Sequence, residues 1–170
     1  MQLKDVKHYL NKFAKEVIKQ ARTRLTKGKK VVTRELYDSL EYEINQTPEG
    51  ITVAFFMEQY GLFQDKGVSG KKRKYGTPYS YKSKMPPPSA LDQWIVRKGI
   101  APRDKKGKFI KRKSLQYMIA RSIFLKGIKP SLFFTKPFEM YYDKLKVKLP
   151  KEFAKDAENS WKHIFQTETI

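Results

Sequence analysis

Lys71-Lys72-Arg73-Lys74 stands directly before Tyr75, and Tyr79, Tyr81, Lys82 and Lys84 follow closely. Residues of these types in this pattern bind phosphates through their cations while their rings stack on exposed bases. They equally suit a protein neighbour, with tyrosines docking and lysines meeting that neighbour's acids. A second set, Lys105, Lys106, Lys108, Lys111, Arg112 and Lys113, repeats the cations further on. Residues 66–113 hold sixteen Lys and Arg against Asp92 and Asp104, a net +14 of the chain's +20. Spread evenly, that charge would signal solubility alone. Concentrated here, it marks a surface for an anionic partner, with DNA the first candidate. Well-solvated lysine-rich loops share the same composition.

Catalytic chemistry is hard to assemble from the remaining residues. His8 and His163 lie in helical patterns near opposite ends of the chain, without metal-ligand spacing. The acids gather at Glu35, Asp38, Glu41, Glu43 and Glu49, and Glu41 and Glu43 share one strand face. A cation site or nuclease could use them, but a solvated strand face explains them more simply. No Walker or dinucleotide loop occurs, and the irregular spacing of Gly67, Gly70 and Gly76 reads as flexibility rather than a phosphate cradle. Cysteine is absent, which removes disulfides and thiolate metal sites and fits a reducing cytosol. With no secretory pattern or long apolar run, the expectation is a soluble intracellular protein without catalysis, cofactor or membrane partner.

The elements that must position these cations are readable from periodicity. Val6, Leu10, Phe13, Val17, Ala21 and Leu25 predict an amphipathic helix over 5–26, with Asp5 as its N-cap. Leu40, Tyr42 and Ile44 alternate with Ser39, Glu41 and Glu43, as in a strand with one wet face. After a turn over 45–50, Ile51, Val53, Phe55 and Met57 alternate again. Ala54 and Phe56 occupy the opposite face, so this strand is expected to be covered on both sides. An antiparallel hairpin follows, too small to stand alone. Residues 58–67 predict a short helical turn presenting Tyr60, Leu62 and Phe63 and ended by Gly67.

The loop over 68–88 has no period and closes at Pro86-Pro87-Pro88. Ser89 and Asp92 predict a capping box for a helix whose buried side is Leu91, Trp94 and Ile95 and whose stop is Gly99. A basic connection over 101–113 leads to a helix capped by Ser114, with Leu115, Met118, Ile119, Ser122 and Ile123 on one face and Gly127 at its end. Pro137 suits the first turn of another helix, and Pro150 is expected to open a last one, with Phe153, Ala154, Ala157, Trp161, Ile164 and Phe165 on its apolar side. The expected class is α+β. A small antiparallel sheet is built on the hairpin, packed by an N-terminal helix and several C-terminal helices, with a long basic loop. Residues 1–150 form the domain with the arm 68–88 inserted, and 151–170 form a helical extension.

Three ordered segments carry a family resemblance. Thr33-Arg34-Glu35-Leu36-Tyr37-Asp38-Ser39-Leu40 follows T-x-x-L-x-x-S-I/L, and Tyr60-Gly61-Leu62-Phe63-Gln64-Asp65-Lys66-Gly67 follows Y-A-x-Y-x-E-x-G, with Gly61 for Ala and Asp65 for Glu. Residues 120–134 follow A-x-x-I-x-x-x-G-I-x-P-x-x-F-F through Gly127, Pro130, Phe133 and Phe134. In these the chain resembles the bacteriophage tail-completion family, the minor head–tail joining proteins of long-tailed phages. The resemblance implies a small α+β subunit of a six- or twelve-fold ring in the virion neck, assembled in the bacterial host cytoplasm. It implies portal (connector) and tail proteins as partners, packaged double-stranded DNA as a further one, and no catalysis. Tyr60, Phe63, Gly67, Gly127, Pro130, Phe133 and Phe134 would be its structural motif residues. A free DNA- or RNA-binding protein is the alternative.

Overall fold

The computed structural model describes residues 3–28 and 33–167, with side chains as far as Lys162. His163, Ile164 and Phe165 therefore lie outside the described side chains. The fold is α+β. Its elements are α1 (Lys4–Lys27), α2 (Glu35–Asp38), β1 (Glu41–Thr47), β2 (Gly50–Phe56), α3 (Tyr60–Lys66) and β3 (Val68–Ser69). A 3-10 turn (Pro88–Leu91), α4 (Asp92–Arg97), α5 (Arg112–Lys126), β4 (Gly127–Ile128) and α6 (Thr135–Thr167) complete it. Two compact units emerge. One comprises Met1–Lys27, Leu36–Met57 and Phe133–Ile170; the other comprises Gly28–Glu35 and Glu58–Leu132. No described helix is long and apolar enough to cross a membrane.

In the first unit the expected stripe of α1 is buried from Val6 through Leu25 and packs along α6. The hairpin adds one face of its sheet, through Tyr42, Ile44, Ile51, Val53 and Phe55. Phe13, Phe55, Phe134 and Phe138 meet mostly edge-on, with Phe55 and Phe134 centroids 5.4 Å apart. Burial of Phe13 contributes about 1.5–3 kcal/mol, and the partly buried Phe55, Phe134 and Phe138 contribute less each. Phe133 is also buried. Arg22 ties α1 to the chain entering β1, donating to the Tyr37 and Leu40 carbonyls while stacking over the Tyr37 ring.

Several local expectations fail here for tertiary reasons. Asp5 does not cap α1. Asp156, 3% exposed on α6, accepts from the Asp5 and Val6 amides at 3.0 and 2.9 Å. A carboxylate satisfies these orphan donors and the positive helix end whatever its distance in sequence. Strand β2 is covered on one side only, because α1 and α6 both pack on the Phe55 face and Phe56 stays 47% exposed. The hairpin turn shrinks to Pro48-Glu49, since Asn45, Gln46 and Thr47 pair with Thr52, Ile51 and Gly50. Pro150 does not open a helix: α6 runs through it as one element, about 50 Å long at 1.5 Å per residue. An interior proline costs about 3 kcal/mol, offset here by packing on both sides of it. Leu145 and Leu149 precede it in the core, and buried Asp156 follows. Phe153 and Trp161 consequently face solvent rather than a neighbouring helix.

In the second unit the two expected side-chain caps are absent. The Ser89 capping box gives way to the 3-10 turn, and α4 and α5 start without a side-chain cap bond. Ser114 lies inside α5, while Asp92 pairs with Arg112 at 3.5 Å and accepts from the Gln116 amide. Ile95 is buried but Trp94 is not, and α5 buries Leu115 and Ala120 while Met118 is open. Gly99 and Gly127 do terminate their helices, at φ 61° and 75°.

Candidate partner-binding surface

Two of the three motif segments meet as a knot of backbone in the second unit. Val68 and Ser69 pair antiparallel with Ile128 and Gly127. The Ser131 and Leu132 amides donate to the Asp65 carbonyl at 3.1 and 3.0 Å, and the Ser131 hydroxyl donates to the Gln64 carbonyl at 2.6 Å. The approach is so close that side chains are excluded. A Cβ on Gly127 would lie 2.1 Å from the Val68 oxygen, one on Gly70 2.4 Å from the Leu125 oxygen, and one on Gly67 2.6 Å from the Ile128 oxygen. Gly67 (φ 74°, ψ 177°) and Gly127 (φ 75°, ψ −169°) also occupy backbone conformations essentially reserved for glycine. Reading Gly67 and Gly70 as flexible is therefore corrected: they lock the chain. Of these three loop glycines, Gly76 alone stands in open space.

The basic arm grows out of this knot. The amides of Lys71 and of Lys72 and Arg73 donate to the Phe124 and Leu125 carbonyls, in the last turn of α5. These are carbonyls a helix leaves unsatisfied, at its negative end, where cations are favoured. Thr77 donates through Oγ1 to the Gly67 carbonyl, and Ser69 exchanges backbone bonds with Tyr79 and Tyr81. The tyrosines do not stand free for stacking, as expected from sequence, but dock on their own chain. Tyr79 meets Phe63 edge-on at 4.6 Å, Tyr81 meets Phe124 at 6.3 Å, and Tyr75 lies under Arg73 at 5.2 Å. Burial pushes the Tyr81 phenol above its ordinary pKa. Lys71, Lys72, Arg73, Lys74, Lys82 and Lys84 are exposed, and among the described residues none pairs with a carboxylate.

The second basic connection is an ordered tip. Arg103 pairs with Phe109, and the Ile110 amide donates to the Pro102 carbonyl. The Asp104 carboxylate accepts from the Lys106 and Lys108 amides, both at 2.9 Å, while Gly107 turns at φ 78°. Arg103 stacks 3.9 Å over Phe109. Lys105, Lys106, Lys108, Lys111 and Lys113 remain exposed, whereas Arg112 is held by Asp92. The turn signal was present in Asp104-Lys105-Lys106-Gly107, an Asp-initiated turn closing on glycine.

Between α3 and the arm lies a cleft of about 630 Å³ walled by Tyr60, Phe63, Gln64, Tyr79, Tyr81 and Lys82. The Nε2 group of Gln64 is buried without a hydrogen-bond partner among the described residues. Nothing in the sequence singled out Gln64, because its burial depends on the knot beneath it. Among the described residues no three His, Cys, Asp or Glu side chains gather as a metal site, and His8 is exposed. Of the sequence-predicted residues, Tyr60, Phe63, Gly67, Gly127 and Pro130 come together in the second unit, whereas Phe133 and Phe134 begin the last segment of the first, Phe134 packing on its core. Comparison with protein-family models, curated proteins and solved structures finds no match to this chain.

Proposed function

We infer that the chain is a structural subunit of a bacteriophage virion, a ring-forming neck protein that joins the portal to the tail. One observation carries the reading. Motif segments 60–67 and 120–134, far apart in the chain, meet through Gly67 against Ile128 and Pro130 and through Ser131 on Gln64 and Asp65. The spacing that resembles the tail-completion family thus coincides with a packing requirement of this chain, which supports the reading. The arm and tip supply exposed cations repeated around a ring, fit to meet an acidic portal or tail surface. The protein neighbour is favoured over packaged DNA because the arm's rings are already engaged and a strongly positive channel would hold DNA against ejection. Electron microscopy of purified particles carrying a tagged chain tests the reading. Density at the head–tail joint is expected, and absence of the chain from mature virions would sink it.

A second reading, a free DNA- or RNA-binding protein, is favoured by the exposed lysines of arm and tip. It demands binding that falls steeply with salt and is weakened when Lys71, Lys72, Arg73 and Lys74 become serine. Undetectable binding at physiological salt discards it.

A further inference from the structure

The outer face of the β1–β2 hairpin, away from α1 and α6, carries an aromatic knob. Phe56 stands 47% exposed there, directly across from Glu41, with Glu43 opposite the neighbouring Ala54. Residues opposed across an antiparallel pair are about 5 Å apart at Cβ, so the ring has carboxylates beside it. Both glutamates are exposed. The two glutamates belong to the stretch where the chain gathers its acids, Glu35 to Glu49, and the knob follows it, while 66–113 holds the basic excess.

The cleft of the second unit has the opposite character. Its walls are Tyr60, Phe63, Tyr79 and Tyr81, its rim carries Lys82, and its volume of about 630 Å³ exceeds what one phenyl ring fills. Lys71 braces that rim, its Nζ donating to the Lys82 carbonyl at 3.1 Å. The buried, unpartnered Gln64 Nε2 is a donor with no acceptor.

We propose that Phe56 of one copy inserts into this cleft of a second copy, with Glu41 and Glu43 meeting Lys82 and Lys71 at the rim. The proposal rests on the ring-forming reading and names the contact that builds the ring. Aromatic anchors in desolvated pockets, surrounded by polar rims, dominate the energy of protein interfaces. Because knob and cleft are different surfaces, the contact is heterologous. Each copy offers one of each, so the contact repeats head to tail and closes when the rotation permits. A nucleic-acid base is the poorer occupant. Tyr79 and Tyr81 are engaged edge-on with Phe63 and Phe124, so they wall a cavity instead of offering a stacking platform.

Sedimentation velocity on the full chain over a wide concentration range tests the contact, with Phe56→Ser, Lys82→Glu, Glu43→Lys and the double variant Lys82→Glu/Glu43→Lys. Wild type is expected as a multimer. Phe56→Ser weakens association about 30-fold or more, the single charge reversals weaken it less, and the double reversal restores it. Circular dichroism should be unchanged throughout, since these side chains are exposed. A mixture of Phe56→Ser and Lys82→Glu chains retains one intact knob and one intact cleft, so its one-to-one pairing should be tighter than the self-association of either variant. Variants that keep the wild-type mass overturn this contact while leaving the ring intact. A wild-type chain that is monomeric throughout removes the ring reading and the contact together. Assembly that appears only on adding duplex DNA, and equally in the Phe56 and Lys82 variants, assigns the surface to nucleic acid and overturns the proposal.

Discussion

Along α1 the first unit closes on a continuous apolar stripe, whereas around Gly127 the second unit closes on amides and carbonyls that a single Cβ would separate. The first arrangement tolerates loss of detail, because the hydrophobic effect is non-directional and roughly proportional to buried area. The second tolerates almost none, because its bonds require fixed backbone positions. The difference matters for where each unit can carry function. A backbone-locked platform can hold an arm of exposed cations without spending side chains on a core, and that is where the basic residues sit. A side-chain core leaves the outer face of its hairpin open instead, and that is where Phe56 and the acids sit.

The sharpest test of the contrast is Gly127→Ala. It should destabilise the second unit by roughly 4 kcal/mol, from strain at positive φ plus the clash with Val68. With one tryptophan in each unit, urea unfolding followed in Trp161→Phe and Trp94→Phe backgrounds reads the units separately. Equal loss at both tryptophans would dissolve the distinction. Phe13→Ala should remove about 3 kcal/mol from the first unit, the usual loss for a buried aromatic, and be read at Trp161 in the same assay. Asp156→Ala follows at about 2 kcal/mol, since it strands two amides at the start of α1.

Tyr141→Phe should matter mainly at high pH. Burial, and then the Glu16 carboxylate that accepts its hydroxyl at 3.3 Å, raise the Tyr141 pKa above 10.0. The folded state thus keeps a proton that the unfolded chain releases first. Its contribution is complete below pH 10 and is lost as the pH climbs beyond, so wild-type stability should fall there more steeply than that of Tyr141→Phe. Asp104→Ala should have the smallest effect, under about 0.5 kcal/mol globally. Faster hydrogen exchange of the Lys106 and Lys108 amides would be its signature, because the carboxylate organises only its own turn.

Legibility in the sequence followed the range of the forces involved. Helix α1, the hairpin, the short α3 and the glycine stops were readable, since periodicity and local backbone preference act over a few residues. The clustering of cations was readable as composition. Caps were misread at Asp5, Ser89 and Ser114, where a distant carboxylate or a 3-10 turn served instead. Pro150 was misread because a local helix-breaking tendency was outweighed by packing on both sides of it.

By itself, then, the sequence determined the amphipathic stripe of α1, the alternation of the hairpin, and two basic segments separated by a short helix. Each depends only on neighbours in the chain. Tertiary structure alone decided that Gly67, Gly70 and Gly127 lock rather than loosen and that the arm's tyrosines turn inward. It also decided that Phe56 faces outward beside Glu41 and that Gln64 lines a cleft. These outcomes depend on which backbone passes within a few ångströms of which, and no local pattern encodes that distance.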